Sequence, residues 1–346
     1  MRTDKNKKVV LTKEKSNIIY GIAACLMVFH HLFAFPERIP NTYVAVLDFN
    51  FLHVETMIAY FGKICISLYA FISGYGLTQK AKHVSSVFLM IKNQIEKFYI
   101  HYWMVFVIFV PYGIVKSIYE INIGKLLGNF IGWYCTYNAE WWYVKQYLVM
   151  LLLFPFLYMI YEKLERSLPQ KLRVVIGTIS VCILAITVET LRYIMVFVIG
   201  MFFAKEQIFE IIDGKLRMKN MIALVNLISI FGVRTVLGGS GQLDIILTPA
   251  FIYSVCILTD IDIAKKYINP VIKTIGKYSI YIWLIHTFYI YYYFQKVIFA
   301  AQYSIIIFIW TMILCVSTSA IINNLLIKCF KYKEKIIRVN FNERKS

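Results

Sequence analysis

The sequence has no Cys-x-x-Cys pair. Its seven cysteines, Cys25, Cys65, Cys135, Cys182, Cys256, Cys315 and Cys329, are scattered and fall mostly in apolar runs. They read as small fillers and offer no metal site. Repeats of about 20–50 residues are absent as well. Proline is sparse, with only Pro111, Pro155 and Pro249 in or near apolar segments. Both absences argue against a transporter built from repeats and broken helices. No basic cluster sits on a soluble stretch, which excludes a nucleic-acid-binding domain. Short alternating apolar segments are missing too, which excludes a membrane β-barrel.

What is present is mostly apolar. The 346 residues are 60% hydrophobic, above the roughly one half of a soluble domain. A bilayer-spanning helix needs about 20 mostly apolar residues, and several runs qualify. The expected fold class is therefore all-α, a polytopic membrane protein of about ten transmembrane helices. The spans fall near 17–35, 55–77, 98–116, 141–161, 172–188, 191–204, 221–238, 245–259, 278–297 and 303–327. A further apolar stretch near 126–138 reads as re-entrant or interfacial. The lysine-rich start precedes the first run without a small-residue cleavage site after it, so that run is expected to be an uncleaved helix.

The charges supply an orientation. Formal net charge is +18, and outer loops and outer helix ends hold only Arg38, Lys116, Lys125, Arg192 and Lys296. Most other bases punctuate the opposite side, as the positive-inside rule requires, which places both termini in the cytoplasm. The expected organisation is a basic cytoplasmic tail over 1–16, a transmembrane domain over 17–327 and a second basic cytoplasmic tail over 328–346. Within that tail, Lys328–Arg338 mixes bases with apolar residues, which fits the inner leaflet and a solvated tail equally.

Polar side chains inside the spans are the candidates for function, because charge in hydrocarbon is expensive. Lys63, Lys145 and Arg234 fall within spans, as do His286 and the adjacent pair His30 and His31. Glu189 and Arg192 flank a tight external turn. Span direction puts these groups in one layer between the bilayer middle and its outer surface, which points to one outward-opening cavity. Snorkelling to outer headgroups is the alternative for the three bases, and an interhelical hydrogen bond is the alternative for His286. Adjacent helical residues diverge by about 100°. One ring of the histidine pair can therefore bond a neighbour while the other lines the cavity. Neutral imidazole suits a general base. His31 lies three helical turns after Tyr20, on the same face. Trp141, Trp142 and Tyr143 suit either a sugar platform or an interfacial belt. Ser73 and Gly74 read as a close-packing pair rather than a nucleophile.

Several stretches together resemble the integral-membrane acyltransferase family 3, which includes bacterial polysaccharide O-acetyltransferases. Gly21-Ile22-Ala23 through His30-His31 is similar to the family's first helix, with His31 in its histidine slot and Tyr20 where the family has a basic residue. Gly62 to Leu77 resembles its Ser-Gly-aromatic helix, through Ser73-Gly74-Tyr75. Gln94 and Lys97 occupy the slots of two arginines. Glu140 to Tyr147 resembles the aromatic entry to the next helix, and Ile275 to His286 resembles a late Ser-x-x-x-Trp-Leu-Ile-His helix. The resemblance runs from Asn17 to about Tyr293 and makes 17–327 a transmembrane acyltransferase domain.

The resemblance implies an O-acyltransferase of the cell membrane, multi-pass, with no bound cofactor. It would move acetyl from acetyl-CoA to a sugar hydroxyl of a capsular or other surface polysaccharide, or of a lipid-linked precursor. The expected partners are acyl-CoA, a glycan or lipid-linked sugar and membrane lipid, and no nucleic acid. No further extracytoplasmic domain is expected after the last span. His31 would take the hydroxyl proton, and His30 or His31 is the candidate if acetyl passes through a covalent carrier. Lys63, Ser73, Lys97, Trp142, Lys145, Arg234 and His286 are the candidates for binding donor or acceptor. With Tyr20 and Gln94 neutral, Lys15, Lys92 or Lys97 would grip the anionic donor. The rival readings are a transporter or flippase for a lipid-linked sugar or small solute, and a glycan polymerase.

Overall fold

In the computed structural model, residues 10–49, 53–187, 191–237, 241 and 243–343 are described. Among them the regular elements are helices, joined by one isolated bridge between Val44 and Tyr303. The first helix, α1 (Lys13–Phe33), begins where the sequence supplies a cap. The Thr12 side chain accepts the Lys15 backbone N–H at 3.2 Å, and Glu14 sits in the first turn. Both features satisfy the positive helix N-terminus. Pro36 follows shortly after the helix ends, where the chain cannot continue as a helix.

The second expected span is two helices, α2 (Val54–Gly62) and α3 (Cys65–Ala81). Between them Lys63 and Ile64 donate their N–H groups three residues back, to Tyr60 and Phe61. The helix is thus tightened to a 3₁₀ turn, and the ordinary four-residue spacing resumes when the Leu68 N–H donates to Ile64. Hydropathy cannot see this break, because both halves are apolar.

After α4 (Val87–Val115), the stretch expected to be re-entrant or interfacial forms the short helix α5 (Ile123–Phe130), capped by Asn122. Next come α6 (Trp142–Ser167), α7 (Gln170–Thr187), α8 (Arg192–Glu206) and α9 (Ile208–Lys215). They are followed by α10 (Lys219–Val236), α11 (Asp244–Leu258), α12 (Asn269–Lys277) and α13 (Ser279–Thr287). Pro111, Pro155 and Pro249 lie inside α4, α6 and α11. A wide π turn at Phe288–Tyr292 extends α13, and α14 (Gln295–Phe299) leads into α15 (Ser304–Glu343). α15 runs on through most of the segment read as a basic tail.

Each of the ten expected spans coincides with helix. Among the described residues six helical stretches are long and apolar enough to cross a membrane, and α11 is a shorter apolar helix. The chain is an all-α polytopic membrane protein.

Two packing features hold the elements around the centre. The backbones of α3 and α8 touch at Gly74 and Gly200. A Cβ on Gly74 would stand 2.1 Å from the Phe197 carbonyl oxygen, and one on Gly200 would stand 2.1 Å from that of Phe71. Small residues allow this approach, which is how helices without a hydrophobic drive between them gain contact. The second feature is polar. Arg234 on α10 is fully buried and pairs with Asp244 at the start of α11. The Ser67 hydroxyl of α3 donates to the other carboxylate oxygen of Asp244 at 2.5 Å. Three helices are joined through one carboxylate.

These features generate two expectations. Gly74→Ala or Gly200→Ala should cost about 1–3 kcal/mol of stability through overpacking, read as a lowered melting temperature in detergent. An unchanged melting temperature would refute the backbone contact. Asp244→Ala should cost about 3–5 kcal/mol, because it removes the carboxylate that faces a buried guanidinium. A variant that melts with the wild type would show that the pair is not structural.

Candidate active site

The last turn of α1 delivers the histidine pair to a cavity of about 310 Å³. Lys63, Glu140, Trp142 and His286 also line it, so α1, the α2–α3 break, the entry to α6 and α13 all contribute. Trp141 fixes one side of the frame, since its indole N–H donates to the Leu284 carbonyl of α13 at 3.0 Å.

The two adjacent rings divide as the helical geometry requires. His30 Nδ1 lies 2.7 Å from the Ala59 carbonyl of α2. A carbonyl only accepts, so this nitrogen carries the proton and His30 is tied to its neighbour. His31 turns elsewhere, with its ring 5.1 Å from His30 and 4.9 Å from His286. His31 Nε2 stands 3.5 Å from Glu140 Oε2. Its backbone is held by Tyr291, whose hydroxyl donates to the His31 carbonyl at 2.5 Å. His286 is fully buried, and its Nδ1 faces the carbonyls of Trp283 at 2.8 Å and Ile282 at 3.1 Å.

Two further cavities adjoin this one. A space of about 170 Å³ is lined by Tyr20, Ser73 and Tyr147, and it shares Tyr69, Tyr143 and Trp283 with the histidine cavity. Tyr20 stacks on Tyr69 with ring centres 5.6 Å apart. Beyond it lies a space of about 420 Å³ lined by Gln94, Lys97, His101 and Lys277, which shares Phe98, Tyr147 and Ile280 with the middle one. Gln94 donates to the Tyr147 hydroxyl at 3.3 Å, where the last two spaces meet. The row therefore runs from three histidines, past tyrosines, to two lysines.

Five candidates read from the sequence besides the histidine pair lie along this row. Lys63, Trp142 and His286 are in its first part, Ser73 in the middle and Lys97 at the far end. Lys145 and Arg234 do not line it. The Lys145 ammonium sits 3.9 Å from the Trp133 ring centre, a cation–π contact, and Arg234 is engaged with Asp244. Of the three lysines considered for the donor, Lys15 bonds the Cys256 carbonyl and Asp260, and exposed Lys92 faces Glu96 at 3.8 Å. Lys97 alone of these three faces the row. Arg192 begins α8, while Glu189 lies outside the described residues.

Three contributors escaped the sequence reading. Glu140 was legible only as the first residue of an aromatic segment, though a carboxylate at the outer entry of a span was a usable signal. Tyr291 and Lys277 carry no spacing signal, because folding alone brings the π turn and the end of α12 to this row. A larger cavity of about 450 Å³ elsewhere, around α8, α10 and α11, is lined almost wholly by apolar side chains such as Phe202, Ile245 and Pro249. With no acid–base group except Tyr253 it offers no chemistry of this kind.

The family described as an acyltransferase domain matches residues 16–323. No curated protein and no solved structure matches the chain. The match covers nearly all of the helical region, both the histidine end and the lysine end of the cavity row included, and the chain accordingly belongs to the membrane acyltransferase family 3.

Proposed function

We propose that this protein is a multi-pass O-acyltransferase of the cell membrane that moves acetyl from acetyl-CoA to a sugar hydroxyl of a surface polysaccharide or its lipid-linked precursor. The observation that carries this reading is the row of three adjoining cavities. A CoA thioester is anionic at its nucleotide end and reactive at the other. Lys97 and Lys277 suit the phosphates at one end of the row, and the histidine cavity suits the thioester at the other. The positive-inside charge bias puts the lysine end towards the cytoplasm, where acyl-CoA is made.

The middle of the row supports the same reading. Tyr69 and Tyr143 have buried hydroxyls without a hydrogen-bond partner among the described residues, and both line the first two spaces. Buried polar groups are normally satisfied, so these hydroxyls are placed to meet a polar chain such as the amide-bearing arm of CoA. At the histidine end Trp142 and Tyr193 stand with ring centres 5.8 Å apart, and flat aromatic faces suit a sugar ring. A hydroxyl is a weak nucleophile until a positioned base takes its proton, and the cavity brings imidazoles together for that purpose. Lys63, at the helix break, is placed to attract the developing oxyanion.

The glycan test is direct. Base-labile acetyl signals in the proton NMR spectrum of the surface glycan should be present with the intact gene and absent both in a deletion and in a His31→Ala strain with normal protein level. Identical spectra in all three would defeat the proposal for that polymer, and loss or shortening of the polymer in the deletion would favour a flippase or polymerase. A donor test is independent of it. Lys97→Gln and Lys277→Gln should each raise the KM for acetyl-CoA about ten- to hundredfold, as loss of a charge-assisted contact of about 1.5–3 kcal/mol implies. An unchanged KM in both would place the nucleotide elsewhere.

A further inference from the structure

We infer that His286 Nε2 is the atom that takes the proton from the acceptor hydroxyl. This inference rests on the acyl-transfer reading above and assigns the proton to one atom within that site.

The assignment follows from what each ring nitrogen meets. His286 Nδ1 faces the carbonyl oxygens of Trp283 at 2.8 Å and Ile282 at 3.1 Å. Neither oxygen can donate, so Nδ1 holds the hydrogen and the partners assign the tautomer. The other nitrogen, Nε2, is then a bare lone pair. It is buried, has no hydrogen-bond partner among the described residues, and belongs to a ring that lines the histidine cavity. A lone pair held without a partner in an apolar interior is costly. Here it is kept in place by a helix that supplies both acceptors for the opposite nitrogen, the arrangement by which a base is oriented.

The other two rings do not present such a lone pair in the same way. His31 Nε2 stands 3.5 Å from Glu140 Oε2 and its Nδ1 lies 3.4 Å from the Tyr291 hydroxyl, so each of its nitrogens faces a polar group. His30 is likewise tied through Nδ1, to the Ala59 carbonyl, but its Nε2 is not among the buried atoms without a partner, as that of His286 is. The His31 and His286 ring centres are 4.9 Å apart, so both rings border the same space.

The step balances. The hydroxyl oxygen attacks the thioester carbonyl carbon and its proton passes to His286 Nε2 as the C–O bond forms. The tetrahedral intermediate collapses, the C–S bond breaks, and the proton passes from His286 to the departing sulfur. The products are the O-acyl glycan and free CoA thiol, and His286 is again neutral.

The test uses the full-length protein in lipid nanodiscs, with acetyl-CoA and glycan extracted from cells that lack the gene. His286→Asn keeps an N–H close to the place of Nδ1 and removes Nε2. It should lower kcat by about 10²–10⁴-fold, the range for general acid–base catalysis. The acetyl-CoA KM should stay within threefold, and the melting temperature should be that of the wild type. A folded variant keeping more than a tenth of the wild-type kcat overturns the inference and leaves acyl transfer standing. If His286→Asn loses its melting transition, His286→Gln is judged by the same criteria. A folded wild-type protein that transfers no acetyl defeats both the inference and the reading beneath it.

Discussion

Hydrocarbon offers a buried polar group no partner, and the arrangement of this protein follows from that constraint. Polar side chains in the spans must be satisfied within the protein. Arg234 is satisfied by Asp244, and Asp244 in turn by Ser67, which ties α10, α11 and α3 together. Glu55, buried at the start of α2, gathers Tyr43, the Leu47 N–H and Ser304, and so fastens the loop after α1 between α2 and α15. His30 is satisfied by Ala59 and the Trp141 indole by Leu284. Groups that remain without a partner then acquire meaning. His286 Nε2 and the hydroxyls of Tyr69 and Tyr143 are among these, and they border adjoining spaces.

The same constraint explains the shape of the site. Small residues let α3 and α8 close on each other at Gly74 and Gly200. At the break between α2 and α3, Lys63 lines the cavity. Tyr20 and Gln94, neutral where the family carries bases, still face the cavity row. In the proposed reading, Lys97 and Lys277 supply the charge at the end of that row, and tyrosine hydroxyls supply its polarity in the middle.

Much of this was legible in the sequence, and the reason is periodicity. Long apolar runs fix helices, and each expected span meets one. The histidine pair was legible as two rings with different tasks, because a helix turns about 100° per residue. Depth alone was a poorer guide. It grouped Lys145 and Arg234 with the histidines, yet one side chain lies on Trp133 and the other inside an ion pair. Depth says how far along a helix a residue sits, not which neighbour the helix turns it towards. The break between α2 and α3 was hidden because hydropathy is blind to a 3₁₀ turn. Glu140, Tyr291 and Lys277 were hidden because their roles depend on contacts between segments far apart in the chain.

The cavity row as the path of the acyl donor is the claim on which the rest turns. A cryo-electron microscopy reconstruction of the full-length protein in nanodiscs, with a non-hydrolysable acetyl-CoA analogue, tests it most directly. The account places the nucleotide against Lys97 and Lys277, the arm beside Tyr20, Tyr69 and Tyr147, and the acyl group between His31 and His286. An analogue bound in the apolar cavity around α8, α10 and α11, or one that leaves the row empty at saturating concentration, would contradict it.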